Sequence, residues 1–216
     1  MFAFFAPSGD QCVTVRAPVL QGLVLLLLAA LIPPARAAGP DEVWLVQQVT
    51  GEAYVAQNED RVNWTQLSGG EVLDGQQVVV TGPAGTAVLM HGEDVVGLAP
   101  RSTILLRETN GKNGMTRLEQ TLGNIIVEVE KRPGWNFQVE TPYLTAVAKG
   151  TKFGVSVDGS GARVDVRQGV VGVSDYSGHR ADVGAGQTCS VAKGGGGVLV
   201  APSPGRATKP VETIAI

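Results

Sequence analysis

The chain has 216 residues, of which 44% are apolar and 17% charged, a balance that allows one packed domain and excludes a disordered or coiled-coil protein. The net charge is −3 and the longest basic run is Lys131-Arg132, so we expect no nucleic-acid-binding surface. The 29 glycines follow no collagen-like period and indicate many tight turns between many short strands.

The first predicted element is an export signal over residues 1–37. An apolar run from Val19 to Ile32 follows Arg16, and Ala35 and Ala37 place small residues at the −3 and −1 positions of a cleavage site. The run is shorter than the roughly 20 residues that a membrane-spanning helix needs, which favours cleavage over an uncleaved signal anchor. We therefore expect a periplasmic or secreted protein, which would contact the membrane only if the signal stayed uncleaved.

The cysteines and histidines give no metal-binding pattern. Cleavage removes Cys12 and leaves Cys189 alone, so no internal disulfide is expected. Cys189 lies in the predicted strand Gln187–Val191, where a small thiol is commonly buried; a disulfide between two chains is the alternative. His91 and His179 each adjoin a turn glycine, and we expect both to be exposed. Their spacing is not that of metal ligands, so we expect neither a metal nor a cofactor.

From Val43 onward the hydrophobic pattern alternates with a period of two, which predicts β-strands. The alternation is clearest in three segments: Asn124–Glu130, Asn136–Glu140 and Lys152–Asp158. Turn signals recur about every eight to twelve residues, which is typical of sandwiches and solenoids. We predict an all-β domain of many short strands, β-solenoid-like or sandwich-like, over residues 41–192. A Gly/Pro-rich flexible tail over residues 193–216 follows it.

Two ordered series of motifs extend along this domain. The first consists of Val49-Thr50-Gly51, Trp64, Leu73-Asp74-Gly75 and the strand ending at Thr81. The second consists of Phe137-Gln138-Val139-Glu140-Thr141-Pro142, Lys149-Gly150-Thr151-Lys152-Phe153 and Gln168-Gly169-Val170. Together they resemble the FecR domain, the periplasmic module of bacterial transmembrane signalling regulators. The resemblance implies an all-β fold and a role in envelope signalling, with an outer-membrane receptor or a membrane sensor as partner.

The chain departs from the FecR pattern at His91-Gly92-Glu93-Asp94, where the family usually has an Asp-Gly-Ser-like hairpin. Classical members of the family resemble regulators in which a cytoplasmic anti-sigma helix bundle precedes a membrane helix. In these regulators a small transducer-binding domain follows the FecR domain. About 18 residues precede the apolar segment and about 24 follow residue 192, so we expect neither module. The resemblance therefore transfers the fold and the compartment rather than anti-sigma activity.

Most of the motif residues have a structural explanation. We assign structural roles to six of them: Trp64, Thr141, Pro142, Gly150, Phe153 and Gly169. Trp64, in the family's tryptophan position, is expected in the core. Proline fixes φ and lacks an N–H donor, which suits Pro142 to a strand edge or corner, and Gly150 permits a backbone bend.

Three residues are candidates for contact with a partner or ligand. Trp135 follows Pro133-Gly134 in a predicted turn and is the best candidate for an exposed aromatic contact. Lys149 and Thr151 are candidates for lining a ligand groove. For Lys149 the structural alternative is an ion pair with one of three acids: Glu140, Glu128 or Glu130.

No pattern in the sequence supports catalysis. Glu128 and Glu130 lie about 6.6–7 Å apart on one strand face, a separation that inverting glycosidases use, but outward acids are also typical of a solvated strand face. The chain has no nucleophile elbow and no phosphate-binding loop. We therefore predict a non-catalytic protein-interaction or sensing module in envelope signalling; the alternative is a module that binds a cell-wall glycan or surface polymer.

Overall fold

The computed structural model describes residues 43–57, 62–107 and 114–204, and the predicted signal at 1–37 lies outside them. Within these ranges the all-β prediction is confirmed, and no helix is long and apolar enough to cross a membrane. The strands are β1 (Trp44–Thr50), β2 (Ala53–Gln57), β3 (Thr65–Gln66), β4 (Val72–Leu73), β5 (Gln77–Thr81), β6 (Thr86–His91), β7 (Asp94–Leu98), β8 (Thr103–Leu106), β9 (Met115–Glu128), β10 (Asn136–Glu140), β11 (Leu144–Ala148), β12 (Lys152–Val157), β13 (Gly161–Gln168), β14 (Val170–Asp175), β15 (Arg180–Gly184), β16 (Gln187–Ala192) and β17 (Leu199–Pro202).

The strands pair into two layers that share β9. Sheet A has the order β4-β1-β6-β7-β9-β12-β13-β16-β17. Sheet B has the order β3-β2-β5-β8-β9-β10-β11-β14-β15. Neighbouring strands in the described ranges are antiparallel except for β9 and β10, which are parallel. The fold is therefore the sandwich-like alternative, because a parallel β-solenoid stacks its coils in parallel register.

The long strand β9 changes layer at its middle. Residues 115–122 pair with β8 and β10 in sheet B, and residues 123–128 pair with β7 and β12 in sheet A. At the change, Gly123 has a φ of +89°, which favours glycine. A Cβ atom at Gly123 would lie 2.5 Å from the carbonyl oxygen of Arg101 and 2.5 Å from Ser102 Cα. The bend in β9 therefore requires a residue without a side chain.

The inward side chains of the two layers form one hydrophobic core. Trp44 of sheet A meets Phe137 of sheet B edge to face, with 6.4 Å between ring centroids. The predicted alternation is confirmed in β12, where Phe153, Val155 and Val157 are all buried. Burial of these apolar side chains is the main favourable term for a domain of this kind.

Two features of the fold differ from the sequence prediction. Residues 199–202, which the sequence assigns to the tail, form β17 and pair with β16, because the edge of β16 offers backbone groups that need hydrogen-bond partners. His91 is fully buried rather than exposed. It is the last residue of β6 and shares the inward face with Ala87 and Leu89, so the turn begins only at Gly92.

Candidate functional site

The three predicted contact residues lie at one end of the sandwich. Trp135 is in the connection between β9 and β10, and Lys149 and Thr151 are in the turn between β11 and β12. The two connections touch, because the backbone N–H of Val129 donates to the carbonyl oxygen of Thr151 at 2.8 Å. The spacing in sequence hides this proximity, which the pairing of β9 with β12 creates.

The Trp135 side chain is half-buried, and the Arg132 guanidinium lies over its ring. The guanidinium carbon of Arg132 lies 5.0 Å from the centroid of the Trp135 ring, within the range of a cation–π interaction. Arg132 Nη2 also donates to Oδ2 of Asp94 at 2.5 Å, and the Asp94 side chain is only 2% exposed. Arg132 thus ties the Trp135 connection to the β6–β7 hairpin. One face of the Trp135 ring is therefore covered from within the chain.

Thr151 does not line an open groove, contrary to the sequence prediction. It is 1% exposed, and a Cβ atom at Gly169 would lie 2.6 Å from Thr151 Cγ2, so the side chain fills space beneath the β13–β14 connection. Lys149 is exposed. Of its expected acidic partners, Glu128 instead accepts a hydrogen bond from Lys152 Nζ at 2.7 Å.

The remaining motif residues lie in turns or in the core. Thr141 is buried and closes the turn between β10 and β11: its hydroxyl donates to the carbonyl oxygen of Leu144 and accepts from the Leu144 N–H, both at 2.9 Å. Pro142 is exposed at this corner. Gly150 has a φ of +64°, and Phe153 is fully buried.

Trp64 is not in the core, and this expectation is corrected. It is 41% exposed and precedes β3, a two-residue strand at the edge of sheet B. No strand of the described ranges pairs with the far side of β3. The Trp64 ring borders a hollow with Tyr54 and Val80, which places it on the outer face of sheet B. The core tryptophan is Trp44, which is 1% exposed and lies 4.8 Å from His91 between ring centroids.

The outer face of sheet B carries a row of uncharged side chains in register. Tyr54 pairs with Val80, Val80 with Thr103, and Thr103 with Leu122. Tyr54 and Leu122 are 37% and 47% exposed, and the two residues between them are half-buried. Trp64, Tyr54 and Val80 line a hollow of about 320 Å³. We call these five residues the outer stripe.

Two charged residues flank the outer stripe at opposite ends. Glu52 is exposed near the Tyr54 end, and a Cβ atom at Gly82 would lie 2.9 Å from its Oε2. Arg101 is exposed near the Leu122 end and lines, together with Leu122 and Asp158, a groove of about 370 Å³. Arg101 has a φ of +57°, a conformation that residues other than glycine seldom adopt.

The titratable groups in the described ranges do not gather into a reactive centre. No group of three or more His, Cys, Asp and Glu side chains there is placed to hold a metal ion. Cys189 is buried as predicted, and burial raises the pKa of its thiol to about 11. His179 is exposed, with Nδ1 2.7 Å from Asp175 Oδ2. Partial burial of the Asp175 carboxyl opposes its ionisation, but hydrogen bonds from His179 lower its pKa overall.

The outer stripe is not evident from the sequence because its members are far apart in the chain. The local signal was present in β2, where Tyr54 alternates with the inward residues Ala53 and Val55. The same alternation places Val80 on the outer face of β5. Nothing local, however, predicts that these strands are neighbours of β8 and β9, and the stripe exists only through that order.

Together, these observations define a two-layer β-sandwich module with a stripe of uncharged side chains on the outer face of sheet B. The FecR protein family matches residues 77–172, from β5 into β14, and the resemblance seen in the motifs is confirmed. This match covers the central part of the domain and less than half of the chain.

Two crystal structures of a candidate anti-sigma factor from Parabacteroides distasonis ATCC 8503, at 2.50 and 1.65 Å resolution, have the same fold. Both superpose with a TM-score of 0.52, at 17% and 18% identity. Each comparison covers 58% of this chain and 59% of that chain, so this chain spans less than two thirds of the length of the protein it resembles. No curated protein matches the chain.

Proposed function

We propose that this protein is an exported, non-catalytic FecR-domain module that binds a protein of the cell envelope and serves in envelope sensing or signalling. The outer stripe carries the proposal. Exposed large apolar side chains that are contiguous, rather than scattered, mark interaction sites on soluble domains. Tryptophan and tyrosine are the residue types most enriched among those that dominate binding energy, and the stripe has one of each beside a hollow.

The carboxylates that suggested hydrolysis support a non-catalytic role. Glu128 is ion-paired with Lys152, and both side chains are about half exposed. Glu130 accepts a hydrogen bond from the backbone N–H of Lys131 at 3.2 Å. Both side chains are exposed on an open strand face, whereas substrates are usually held in a cleft or cavity.

A second candidate function is binding of a cell-wall glycan or surface polymer. The observation that favours it is the hollow bounded by the Tyr54 and Trp64 side chains, because aromatic side chains combine a large apolar surface with a polar group. This alternative uses the same residues as the first, so the two are separated by the identity of what is bound.

Capture from envelope extract tests both candidates. The full chain is expressed with its own N-terminus in a bacterial host, and Tyr54→Ala/Trp64→Ala is compared with the wild type. Tyr176→Ala, which removes an exposed tyrosine from the β14–β15 hairpin, is the control. We expect the double variant to lose at least about tenfold in captured envelope protein, as expected for residues worth about 1.4 kcal/mol or more.

Retention on purified peptidoglycan is measured with the same three proteins. Retention that the double variant loses, without any captured protein, supports the glycan alternative instead. Equal capture by all three proteins contradicts the role of the outer stripe. Recovery of the wild-type chain from the cytosol contradicts export.

A further inference from the structure

A polar groove of about 370 Å³ lies where β9 changes layer, beside Leu122. Three polar side chains line it: Arg101 from the β7–β8 connection, Asn124 from β9 and Ser156 from β12. Asn124 and Ser156 are directly opposite each other in sheet A, which places their Cβ atoms about 4.5–5.5 Å apart. The fold therefore brings a guanidinium, an amide and a hydroxyl from three distant segments to one groove.

Within the described residues, the fold makes no use of these three polar groups. The side chains of Arg101, Asn124 and Ser156 have no hydrogen-bond or ion-pair partner there, and all three are exposed. The backbone beneath them, in contrast, is fixed. Ser102 Oγ donates to the carbonyl oxygen of Asn124 at 2.9 Å, and the Ala99 N–H donates to the same oxygen at 3.0 Å. Unused polar groups on a rigid support are a feature of preformed ligand sites.

The backbone of Arg101 also points to a role for its side chain outside folding. Its φ of +57° lies in the left-handed region, and it follows Pro100 in a turn, where glycine is the usual residue at positive φ. Strained backbone of this kind clusters at ligand-binding sites. No hydrogen bond or ion pair of the Arg101 side chain offsets the strain in the described ranges. The guanidinium is therefore the group that we expect to meet a ligand.

The groups at the groove define the chemistry of that ligand. The guanidinium of Arg101 suits a carboxylate, which it binds through two parallel N–H···O bonds. The Asn124 amide and the Ser156 hydroxyl each donate and accept hydrogen bonds, which suits hydroxyl groups. Asp158 also lines the groove, and its Oδ1 accepts from the Ser160 N–H and O–H. Its Oδ2 is left to accept a hydroxyl proton from the ligand and to repel a second carboxylate.

A sugar acid combines these features, because it has one carboxylate, several hydroxyls and an apolar ring face. Leu122 is 47% exposed beside the groove and offers that ring face an apolar contact. A peptide segment fits less well, because β9 and β12 are interior strands at this point, and neither has an edge open to a peptide backbone. The chemistry of the groove therefore favours an acidic sugar over a peptide.

We propose that this groove binds an acidic sugar, such as a uronic-acid unit of an anionic polysaccharide, with Arg101 holding the carboxylate. Asn124, Ser156 and Asp158 hold the ring hydroxyls, and Leu122 contacts the ring. The proposal goes beyond the proposed function and does not depend on it, because the aromatic hollow at the other end of the outer stripe takes no part in this site.

A matched pair of oligosaccharides tests the proposal. The full chain is titrated by calorimetry with oligogalacturonate and with its methyl ester, in which the carboxylates are neutral. Arg101→Gln is compared with the wild type, and Arg180→Gln, which removes the same charge from β15 at the edge of sheet B, is the control. Arg101→Gly, which suits the φ of +57°, separates a loss of binding from a loss of folding. Tyr54→Ala/Trp64→Ala is titrated as well.

We expect the wild type to bind the acid at least about tenfold more tightly than the ester, and both Arg101 variants to lose this preference. Arg101→Gly should unfold at the same or a higher urea concentration than the wild type, because it relieves the backbone strain. Arg180→Gln and Tyr54→Ala/Trp64→Ala should keep the preference.

Three results would overturn the site: equal or no binding of the two oligosaccharides by the wild type, an equal loss in Arg180→Gln, or a loss in Tyr54→Ala/Trp64→Ala that the Arg101 variants do not show. The first two leave the proposed function standing, because it is tested at Tyr54 and Trp64 with envelope extract and peptidoglycan. The third moves saccharide binding to the aromatic hollow and so supports the glycan alternative there.

Discussion

Substitution of Gly123 tests the bend that carries β9 from one layer to the other. In Gly123→Ala, a left-handed backbone conformation costs roughly 1–2 kcal/mol, and the new Cβ lies 2.5 Å from backbone atoms of Arg101 and Ser102. Backbone cannot rotate away as a flexible side chain can, so the overlap displaces either β9 or the β7–β8 connection. Relief of such overpacking costs a further 1–3 kcal/mol or so. We expect a total loss of at least about 3 kcal/mol in the free energy of unfolding.

Two other glycines separate the contributions to that loss. Gly134 has a φ of +77° with no atom within 4 Å of a Cβ position, so Gly134→Ala should cost only about 1 kcal/mol. Gly159 has neither a positive φ nor a close neighbour, so Gly159→Ala should stay within about 0.5 kcal/mol of the wild type. Urea unfolding followed by circular dichroism measures all three. If Gly123→Ala and Gly134→Ala lose the same free energy, steric exclusion at the bend is refuted.

Further predictions concern ion pairs and titratable groups. Arg132→Ala should cost about 2 kcal/mol or more because it removes a charged hydrogen bond to the buried Asp94 carboxylate. Lys152→Ala should cost less than about 1 kcal/mol because its ion pair is exposed; equal losses in urea unfolding would contradict this. Because the pKa of the Cys189 thiol rises from 9.0 to about 11 on folding, its contribution to stability is complete below pH 9 and is lost as the pH rises toward 11. Cys189→Ala should flatten that pH dependence, and iodoacetamide should label the wild-type thiol at pH 8 only after unfolding. Hydrogen bonds from the Ser160 hydroxyl and N–H lower the pKa of Asp158. Ser160→Ala should therefore raise that pKa toward 3.8, as measured by NMR titration of the carboxyl group. An unchanged pKa would contradict the role of the Ser160 hydroxyl.

Local patterns predicted the strands well, because the alternation of apolar and polar side chains involves only neighbouring residues. Asn136–Glu140 is a strand with the predicted bounds, and Cys189 lies buried in β16, as predicted for a small thiol within a strand. The Asp158–Gly161 turn joins β12 to β13, with Asp158 Oδ1 accepting the Ser160 N–H at 2.7 Å. In each case the residues that decide the outcome lie within about ten positions of one another.

Errors arose where the outcome depends on distant residues. Trp44 lies in β1 and Trp64 directly precedes β3, yet only Trp44 faces β10 across the core. Local pattern cannot reveal that β3 is an edge strand, since this depends on which strands pair elsewhere. His91 was misjudged for a different reason: the adjoining glycine signalled a turn, while the alternation from Ala87 to His91 already placed the imidazole inward.

The shared strand β9 also limits how the protein can be divided. The family match begins at β5 and ends within β14, but β5 pairs with β2, β6 with β1, and β13 with β16. A fragment trimmed to residues 77–172 would keep β9, but β5, β6 and β13 would each lose one neighbouring strand. Unpaired strand edges invite aggregation, so insoluble material is the expected product. Soluble expression requires the flanking strands, from Trp44 to at least Ala192.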